Sequence, residues 1–263
     1  MNKFQIIVPT LNSYFLLSKL IKSLKSQTWK NWKVIFIDGD SDYKHIKWLK
    51  SQCKKDKRFI YIHQRDKKKG IFGAMNQGIE SIDKNNWILF WGSDDWVFDK
   101  NIFEKLNKKI KNNFLEELDM IICRGQYINT LKKLSSRKTF FINNKKDFYL
   151  EKDEYRKLLF LGYTPPHQAT LINPKLFLSG TQYNEKLKIA ADLDFFCNVS
   201  KLNKLKLAIF NFNLVKISSG GISAKYTSKR LKEVIHCYIK HFGVLFFIPL
   251  ILRYVNKISQ KLW

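Results

Sequence analysis

The chain has 263 residues, 45% of them hydrophobic and 15% aromatic, which is too apolar for a disordered segment and long enough to bury one large domain, alone or with a small appendage. Its 48 basic against 22 acidic side chains leave a net charge of +26, a surplus that implies a polyanionic neighbour, either nucleic acid or an anionic membrane face. Much of it is Lys, which lacks the planar fork that reads guanine edges, so diffuse attraction is favoured over base readout.

Strand-like and helix-like segments alternate through the first hundred residues. Phe4 to Val8 reads as a strand stopped by Pro9, and Leu16, Leu17, Leu20, Ile21 and Leu24 then recur at helical spacing. Trp32 to Ile37 is a second strand, ending in Asp38-Gly39-Asp40-Ser41-Asp42. Ile46 and Leu49 suggest another helix, Phe59 to Ile62 a third strand, and Ile71 to Ile82 a helix. The apolar run Trp87 to Trp91 then reads as a buried strand before Gly92-Ser93-Asp94-Asp95. Repeated βα units imply an α/β domain with a parallel sheet covered on both faces. Parallel strands put the loops Thr10 to Ser13, Asp38 to Asp42 and Ser93 to Asp95 on one sheet edge.

Past about residue 115 the pattern becomes mixed. Met120 to Cys123, Gln126 to Thr130, Thr139 to Ile142 and Gln168 to Ile172 look β-like, and Ala190 to Val199 looks helical with Asp192 and Asp194 in its first turn. In the tail, Leu231, Val234, Ile235, Tyr238, Ile239 and Phe242 share one helical face. Beyond Pro249, Arg253, Lys257 and Lys261 recur beside Ile251, Val255, Ile258 and Leu262. Basic amphipathic helices with aromatic ends lie in the membrane interface; the alternative is a helix packed on the domain with a solvated Lys face.

The longest apolar stretch, Phe242 to Leu252, is well short of the ~20 residues a spanning helix needs, so no membrane crossing is expected. No signal peptide pattern opens the chain. Cys53, Cys123, Cys197 and Cys237 lie far apart without ligand spacing, which argues against a zinc site or disulfide framework and fits a reducing cytosol.

Asp94-Asp95 is the most telling dipeptide. Adjacent like charges repel unless a cation or hydrogen-bond donors hold them, and hard divalent ions that bridge to phosphates want such oxygens. A solvated Asp-Asp turn is the bland alternative. Seven of the 22 acids (Asp38, Asp40, Asp42, Asp94, Asp95, Asp192, Asp194) occupy loops or a helix start at the inferred edge. In a Lys-rich chain that contrast suits a metal bound to a nucleotide diphosphate.

Several blocks carry a resemblance. Ile6-Ile7-Val8-Pro9-Thr10-Leu11-Asn12-Ser13, Ile37-Asp38-Gly39-Asp40-Ser41, Gly70 to Ile79, Ser93-Asp94-Asp95, Pro166-His167-Gln168-Ala169, Ala191 to Phe196 and Gly220-Gly221-Ile222-Ser223 resemble, in order and spacing, family 2 glycosyltransferases of the bacterial polysaccharide branch. Gly73 and Lys68 depart from the pattern, standing where that branch usually has Asp. The resemblance implies a GT-A fold, Rossmann-like with a mostly parallel central sheet flanked by helices. The glycosyltransferase domain would cover 1–223, with a nucleotide half of about 1–115 and an acceptor half of about 116–223. Residues 224–263 would form a C-terminal amphipathic helical appendage.

The resemblance further implies that Pro9, Thr10, Asn12 and Asp38 hold the nucleotide base and that Asp94 bonds ribose or sugar. Asp95 would ligate Mn²⁺ or Mg²⁺, and Asp192 would be the general base of an inverting displacement. Asn76 falls to the nucleotide; in the neighbouring basic run Lys69, or else Lys68 or Arg65, would touch the diphosphate, a solvated Lys run being the alternative. His167, Gln168 and Asp194 would serve the acceptor or sugar.

The activity expected is transfer of a hexose or N-acetylhexosamine from a nucleotide diphosphate sugar, best matched by a uridine carrier. The acceptor would be lipid-linked or an oligosaccharide, in O-antigen, capsule or lipooligosaccharide synthesis. The partners expected are that donor, the acceptor and an anionic membrane surface, with the protein cytoplasmic and peripheral on the inner face of the bacterial plasma membrane. A nucleic-acid binder or a metal-dependent phosphoryl-transfer protein is the rival. No nucleic acid is expected, because no helix-turn-helix, zinc finger or RNA-binding aromatic signature appears. A nucleotidyltransferase would need a Gly-rich phosphate loop after the first strand, and Pro9 to Ser13 is not one.

Overall fold

The computed structural model describes residues 3–112, 117–129, 134–143, 145–220 and 226–262. Gly221-Ile222-Ser223, Thr130 and the inferred boundaries at 115/116 and 223/224 lie outside them.

The strands are β1 (Phe4–Thr10), β2 (Trp32–Asp38), β3 (Phe59–His63), β4 (Trp87–Phe90), β5 (Trp96–Val97), β6 (Met120–Asn129), β7 (Leu134–Thr139), β8 (Phe148–Glu151), β9 (Thr170–Ile172) and β10 (Lys206–Ser218). The helices are α1 (Tyr14–Lys25), α2 (Tyr43–Lys55), α3 (Gly70–Ile79), α4 (Ile102–Asn112), α5 (Lys152–Phe160), α6 (Lys175–Leu178), α7 (Ala191–Val199), α8 (Thr227–Phe242) and α9 (Phe247–Leu262).

All belong to one sheet system in the order β3-β2-β1-β4-β9-β6-β10-β5, with β7 on β6 and β8 on β10. The first four strands are parallel, as expected from their βα connections. Beyond β4 the expectation of a mostly parallel sheet is corrected to a mixed one: β9 is antiparallel to β4 and β6, and β10 runs parallel to β6 but antiparallel to β5 and β8.

Alternation along β1 sends Phe4, Ile6 and Val8 to one face, under α1, α2 and α4, and Ile7 to the other, under α3. Both faces are covered, which is why these strands read as unbroken apolar runs. In α1 the buried residues are Leu17, Leu20, Ile21 and Leu24, one stripe at helical spacing.

Three local expectations shift. Met120 to Cys123 and Gln126 onward, as far as Asn129, are one strand, β6, rather than two. The strand placed at Thr139 to Ile142 lies earlier, as β7. Gln168 belongs to a single 3₁₀ turn, His167–Ala169, that precedes β9.

The tail also departs from its helical-wheel reading. In α8 the buried residues are Val234, Cys237, Tyr238 and His241, whereas Leu231 and Ile239 are exposed. Gly243, at φ +57°, ends α8 and begins a 3₁₀ turn leading into α9. By length and composition, the helical run Thr227–Ile258 could cross a membrane: it has 32 residues and a mean hydropathy of 1.7 in its most apolar stretch. That corrects the expectation that no segment is long enough. Pro249 lies within that run and is tolerated because it falls in the first turn of α9.

α9 packs back on α5, α8 and β7. At Gly162 (φ +80°) an added Cβ would come within 2.3 Å of the Arg253 backbone nitrogen, so this glycine permits the helix to dock. Asn256 donates to the Leu161 carbonyl at 3.0 Å, and the Arg253 guanidinium donates to the Thr164 hydroxyl. Arg253 and Lys257 therefore face the body, while Phe247, Ile251, Val255 and Ile258 form an exposed apolar stripe. The side chains of Lys261 and Leu262 lie outside those described.

Candidate active site

The ends of β1 and β2 are laced together by Asp38. Its carboxylate is fully buried and accepts from the Thr10 hydroxyl (3.0 Å), the Ser41 hydroxyl (2.6 Å) and the Ser41 N–H (3.1 Å). His45 Nδ1 accepts from the Ser13 N–H at 3.1 Å, so the ring proton sits on Nε2, 3.2 Å from Asp38 Oδ1. Burial outweighs the nearby Asp38 and Asp42 and holds the His45 pKa below its usual value, consistent with a neutral ring.

Asn12, at φ +47°, takes a conformation that Asn tolerates better than most residues. Its N–H donates to Ser41 Oγ and its Oδ1 accepts from the Asp42 N–H, both at 2.8 Å. Asp38 and Thr10 thus shape the loop from within, whereas Asn12 stands exposed at its tip and Pro9 is half-buried.

The β4 loop joins this edge through Ser93, whose hydroxyl meets that of Ser13 at 2.9 Å and donates to the Pro9 carbonyl at 3.1 Å. Asp95 is buried and accepts from the Gly92 N–H at 2.7 Å. A Cβ at Gly92 would fall 2.8 Å from Asp94 Oδ1 and 3.3 Å from Asp95 Oδ2, so both carboxylates occupy the space that glycine vacates. Ser218, where β10 ends, acts through its hydroxyl on Asp94 and through its backbone on Asp95, in the direction that favours the ionised forms.

Those donors do not balance the charge. Burial raises the Asp94 carboxyl, and burial together with Asp94 pushes Asp95 well above the carboxylate range. Among the described residues neither has a salt-bridge partner. Such a pair fits a divalent cation that takes two carboxylates and completes its shell with substrate phosphates and water. No group of three or more His, Cys, Asp or Glu side chains with metal-binding geometry occurs among the described residues.

Asp192 approaches from the other half of the sheet. It is half-buried in the first turn of α7, and its Oδ1 accepts the Leu193 N–H at 2.8 Å. α7 has no side-chain cap of its own. Glu233 of α8 supplies one, accepting from the N–H groups of Lys188 (3.0 Å), Ile189 (2.8 Å) and Ala190 (2.9 Å).

Tyr127 on β6 ties Asp192 to the acid pair. Its hydroxyl is pushed up by burial, with Asp95 and Asp192 both adding to the effect. The His167 and Tyr183 rings, hydrogen-bonded at 2.8 Å, also lie in the field of Asp192. His167 stacks on Phe90 at 5.5 Å, and Gln168 offers its carbonyl to the Trp91 indole at 2.8 Å. Asp95 and Asp192 thus both act on the Tyr127 hydroxyl, and Asp192 also acts on His167 and Tyr183.

Two expected site residues do other work. Asn76 is buried; its amide nitrogen donates to the Tyr183 carbonyl and to Glu185, both at 2.9 Å, and its oxygen accepts the Tyr183 N–H at 3.0 Å. With both amide donors spent, it clamps the fold instead of holding a nucleotide. Asp194 is likewise turned away, because residues two apart on a helix point in nearly opposite directions. It accepts from Lys240 (2.8 Å) and His241 (2.8 Å) of α8 and from Asn198 (3.3 Å). Burial alone would raise it, but those donors hold it below the usual carboxylate range.

Lys69 is exposed at the start of α3, beside a concavity of about 540 Å³ bordered by His63, Arg65, Lys68 and Glu80. Lys68 is tied to Glu185 at 2.9 Å. A Cβ at Gly73 would run into the Lys68 backbone carbonyl, so this position has no room for a side chain. Sequence reasoning missed Tyr127, Tyr183, Ser218 and Glu233. Only Ser218, just ahead of the Gly220-Gly221 block, had a neighbouring signal.

A parallel βα half with acids on its strand ends, continued by a mixed half that brings in a helix-borne carboxylate, is the GT-A fold. The chain belongs to glycosyl transferase family 2, whose family model matches residues 5–170. It is 24% identical over 264 residues to a PGL/p-HBAD biosynthesis glycosyltransferase of Mycobacterium bovis, covering 98% of this chain and 93% of the relative. An uncharacterized glycosyltransferase of Rickettsia conorii is 33% identical over 132 residues, 49% of this chain, which spans 21% of that relative's length. Among solved structures, S. aureus TarS 1–349 in complex with UDP-GlcNAc superposes with a TM-score of 0.68 at 17% identity, over 90% of this chain and 66% of TarS.

Proposed function

We propose that this chain is a metal-dependent, inverting glycosyltransferase. In this reading it moves a hexose or N-acetylhexosamine from a uridine diphosphate sugar to a lipid-linked or oligosaccharide acceptor in bacterial surface polysaccharide synthesis. The observation that carries the reading is the buried, uncompensated Asp94–Asp95 pair sharing Tyr127 with Asp192. The TarS neighbour's UDP-GlcNAc complex supports the same donor class.

Asn12 and Pro9 line the base end of the donor, and Asp38 acts through Thr10 and Ser41 to hold that loop. Asp94 bonds ribose or sugar. Mn²⁺ or Mg²⁺ held by Asp95 would neutralise the charge on the leaving diphosphate. Asp192 takes the proton of the acceptor hydroxyl as its oxygen bonds to the anomeric carbon. The carbon–oxygen bond to the diphosphate breaks on the opposite face, so the configuration inverts, through an oxocarbenium-like transition state as in glycoside hydrolysis. His167, with Gln168 beside it, lines the acceptor side.

Donor hydrolysis and transfer should be metal-dependent and should fall by about 10²-fold or more in Asp95→Ala and Asp192→Ala proteins. Full activity in both would reject these roles.

The exposed Phe247, Ile251, Val255 and Ile258 stripe and the net charge of +26 together suit an anionic membrane surface on the cytoplasmic side. α8 is anchored in the core through Cys237 and Tyr238, so the tail lies on such a surface and does not cross it. An Ile251→Glu, Val255→Glu protein should lose binding to anionic liposomes while keeping its fold. Unchanged binding would remove the membrane role.

A further inference from the structure

The Asp192 carboxylate has little of its own to hold it. Among the described residues its one hydrogen bond comes from the Leu193 N–H, within the same helical turn. Its place is therefore set by the backbone path that leads into α7. That path has no local support: residues 188–190 are irregular, and Ala190, which opens the helix, offers no side-chain cap.

The support comes from α8. Three successive N–H groups, of Lys188, Ile189 and Ala190, converge on the Glu233 carboxylate at 3.0, 2.8 and 2.9 Å. Consecutive N–H groups aimed at one point make an anion-binding concavity, and Glu233 fills it. One turn further along the same face of α8, the Cys237 Sγ lies 3.7 Å from the Ala190 carbonyl, which also accepts the Asp194 N–H at 3.1 Å. Ala190 is thus held at both its N–H and its carbonyl, two residues before Asp192.

The other end of this approach is tied to the nucleotide half. Tyr183 exchanges hydrogen bonds of 2.9 and 3.0 Å with the Asn76 amide, and Glu185 meets Lys68 at 2.9 Å. Residues 183–190 therefore form a strap, with α3 at one end and Glu233 at the other. Asp194 also joins α7 to α8, but through side chains directed away from Asp192.

We propose that Glu233 is a positioning residue for the catalytic base. Its carboxylate fixes the strap where it enters α7, and thereby fixes where Asp192 meets the acceptor hydroxyl. This rests on the glycosyltransferase reading of Asp192. It puts a determinant of the reaction in the tail, beyond the residues 5–170 that the family model matches. A remote carboxylate can matter this much because a reacting group displaced by about 1 Å loses about 10²-fold in rate.

The test is turnover by the full-length protein, with Mn²⁺, of whichever of UDP-glucose, UDP-galactose and UDP-GlcNAc the wild type hydrolyses fastest. UDP binding is measured beside it. Glu233→Ala should lower kcat of the folded protein about 10²-fold and leave the donor KM and UDP binding unchanged. Glu233→Gln keeps the size and one acceptor oxygen, so it should recover about tenfold of that loss.

A merely structural role would not pass the next readout. Because Glu233 acts through Asp192, adding Glu233→Ala to Asp192→Asn should lower the residual rate by less than about twofold. A further drop by the full factor seen in the single variant would overturn the assignment. So would an unchanged kcat in Glu233→Ala, or an equal loss in Asp194→Ala, since docking of α8 as a whole would then be what the base needs. If Glu233→Ala does not fold, Glu233→Gln runs the same cycle, its loss of about tenfold vanishing beside Asp192→Asn. An Asp192→Asn protein with wild-type turnover would remove the base reading itself; failure of the Glu233 assignment alone leaves that variant inactive.

Discussion

Asp94–Asp95 and Asp194 are both acidic groups drawn into the interior, and the fold treats them in opposite ways. Asp194 receives Lys240, His241 and Asn198 and is held in its ionised form. Asp95 receives backbone N–H groups and a second carboxylate, and its ionisation is resisted. A structural acid is paired because an unpaired buried charge is expensive. An acid left unbalanced at a sheet edge is one whose partner arrives with the ligand. Burial alone does not separate the two; the sign of the shift does.

The comparison breaks most directly at Asp95. An Asp95→Asn protein should lose transfer by about 10³-fold while becoming more stable to heat by about 1 kcal/mol, since Asn still accepts the Gly92 N–H and removes the repulsion. A destabilised Asp95→Asn protein would show that the pair is structural. Asp194→Ala should do the reverse, destabilising by about 2–3 kcal/mol through the lost charge-assisted bonds to α8, with transfer surviving in the folded fraction. Calorimetry with single-turnover assays reads both.

The smallest effect sharpens the contrast by pH. Burial holds His45, His167 and His241 below the usual imidazole pKa. The unfolded chain therefore binds more protons than the folded one below about pH 6.5, and stability is lost as pH falls through that range. Asp95 works the other way: its raised folded pKa means the native state takes up the proton first, which adds stability on acidification. Between pH 7 and 5 the urea midpoint of the Asp95→Asn protein should therefore fall more steeply than that of wild type. Parallel curves would place Asp95 in a balanced environment.

Much of the nucleotide half was legible residue by residue. Phe4 to Val8, Trp32 to Ile37 and Trp87 to Phe90 announce buried parallel strands because apolar runs bounded by turn residues have few other uses. Their following loops had to share an edge once the strands were parallel, and Ser13, Ser93, Asp38 and Thr10 are indeed knit together there. The acceptor half was harder. β10 carries polar Asn211 and Asn213 amid its apolar residues, and α5 is stabilised by the Glu151–Glu154 capping box more than by any long periodic stripe.

The roles of Asn76 and Asp194 were misread because family resemblance supplies a position, not a side-chain direction. The direction of Asp194 follows from the helix, since it sits two residues from Asp192 on α7. That of Asn76 follows from Tyr183, more than a hundred residues away. In the tail the amphipathicity was plain in the sequence, but which stripe faces inward was not.

What the amino-acid order determined by itself was the α/β class, the edge that gathers Asp38, Asp94 and Asp95, and the membership its motifs announce. These follow from local periodicity and from strand direction, which short-range physics controls. Only the tertiary structure decided which acids are balanced, that Glu233 holds the residues leading into the helix of Asp192, and that Arg253 and Lys257 turn toward the body of the fold. Charge compensation is a property of neighbours in space, and no spacing along a chain records it.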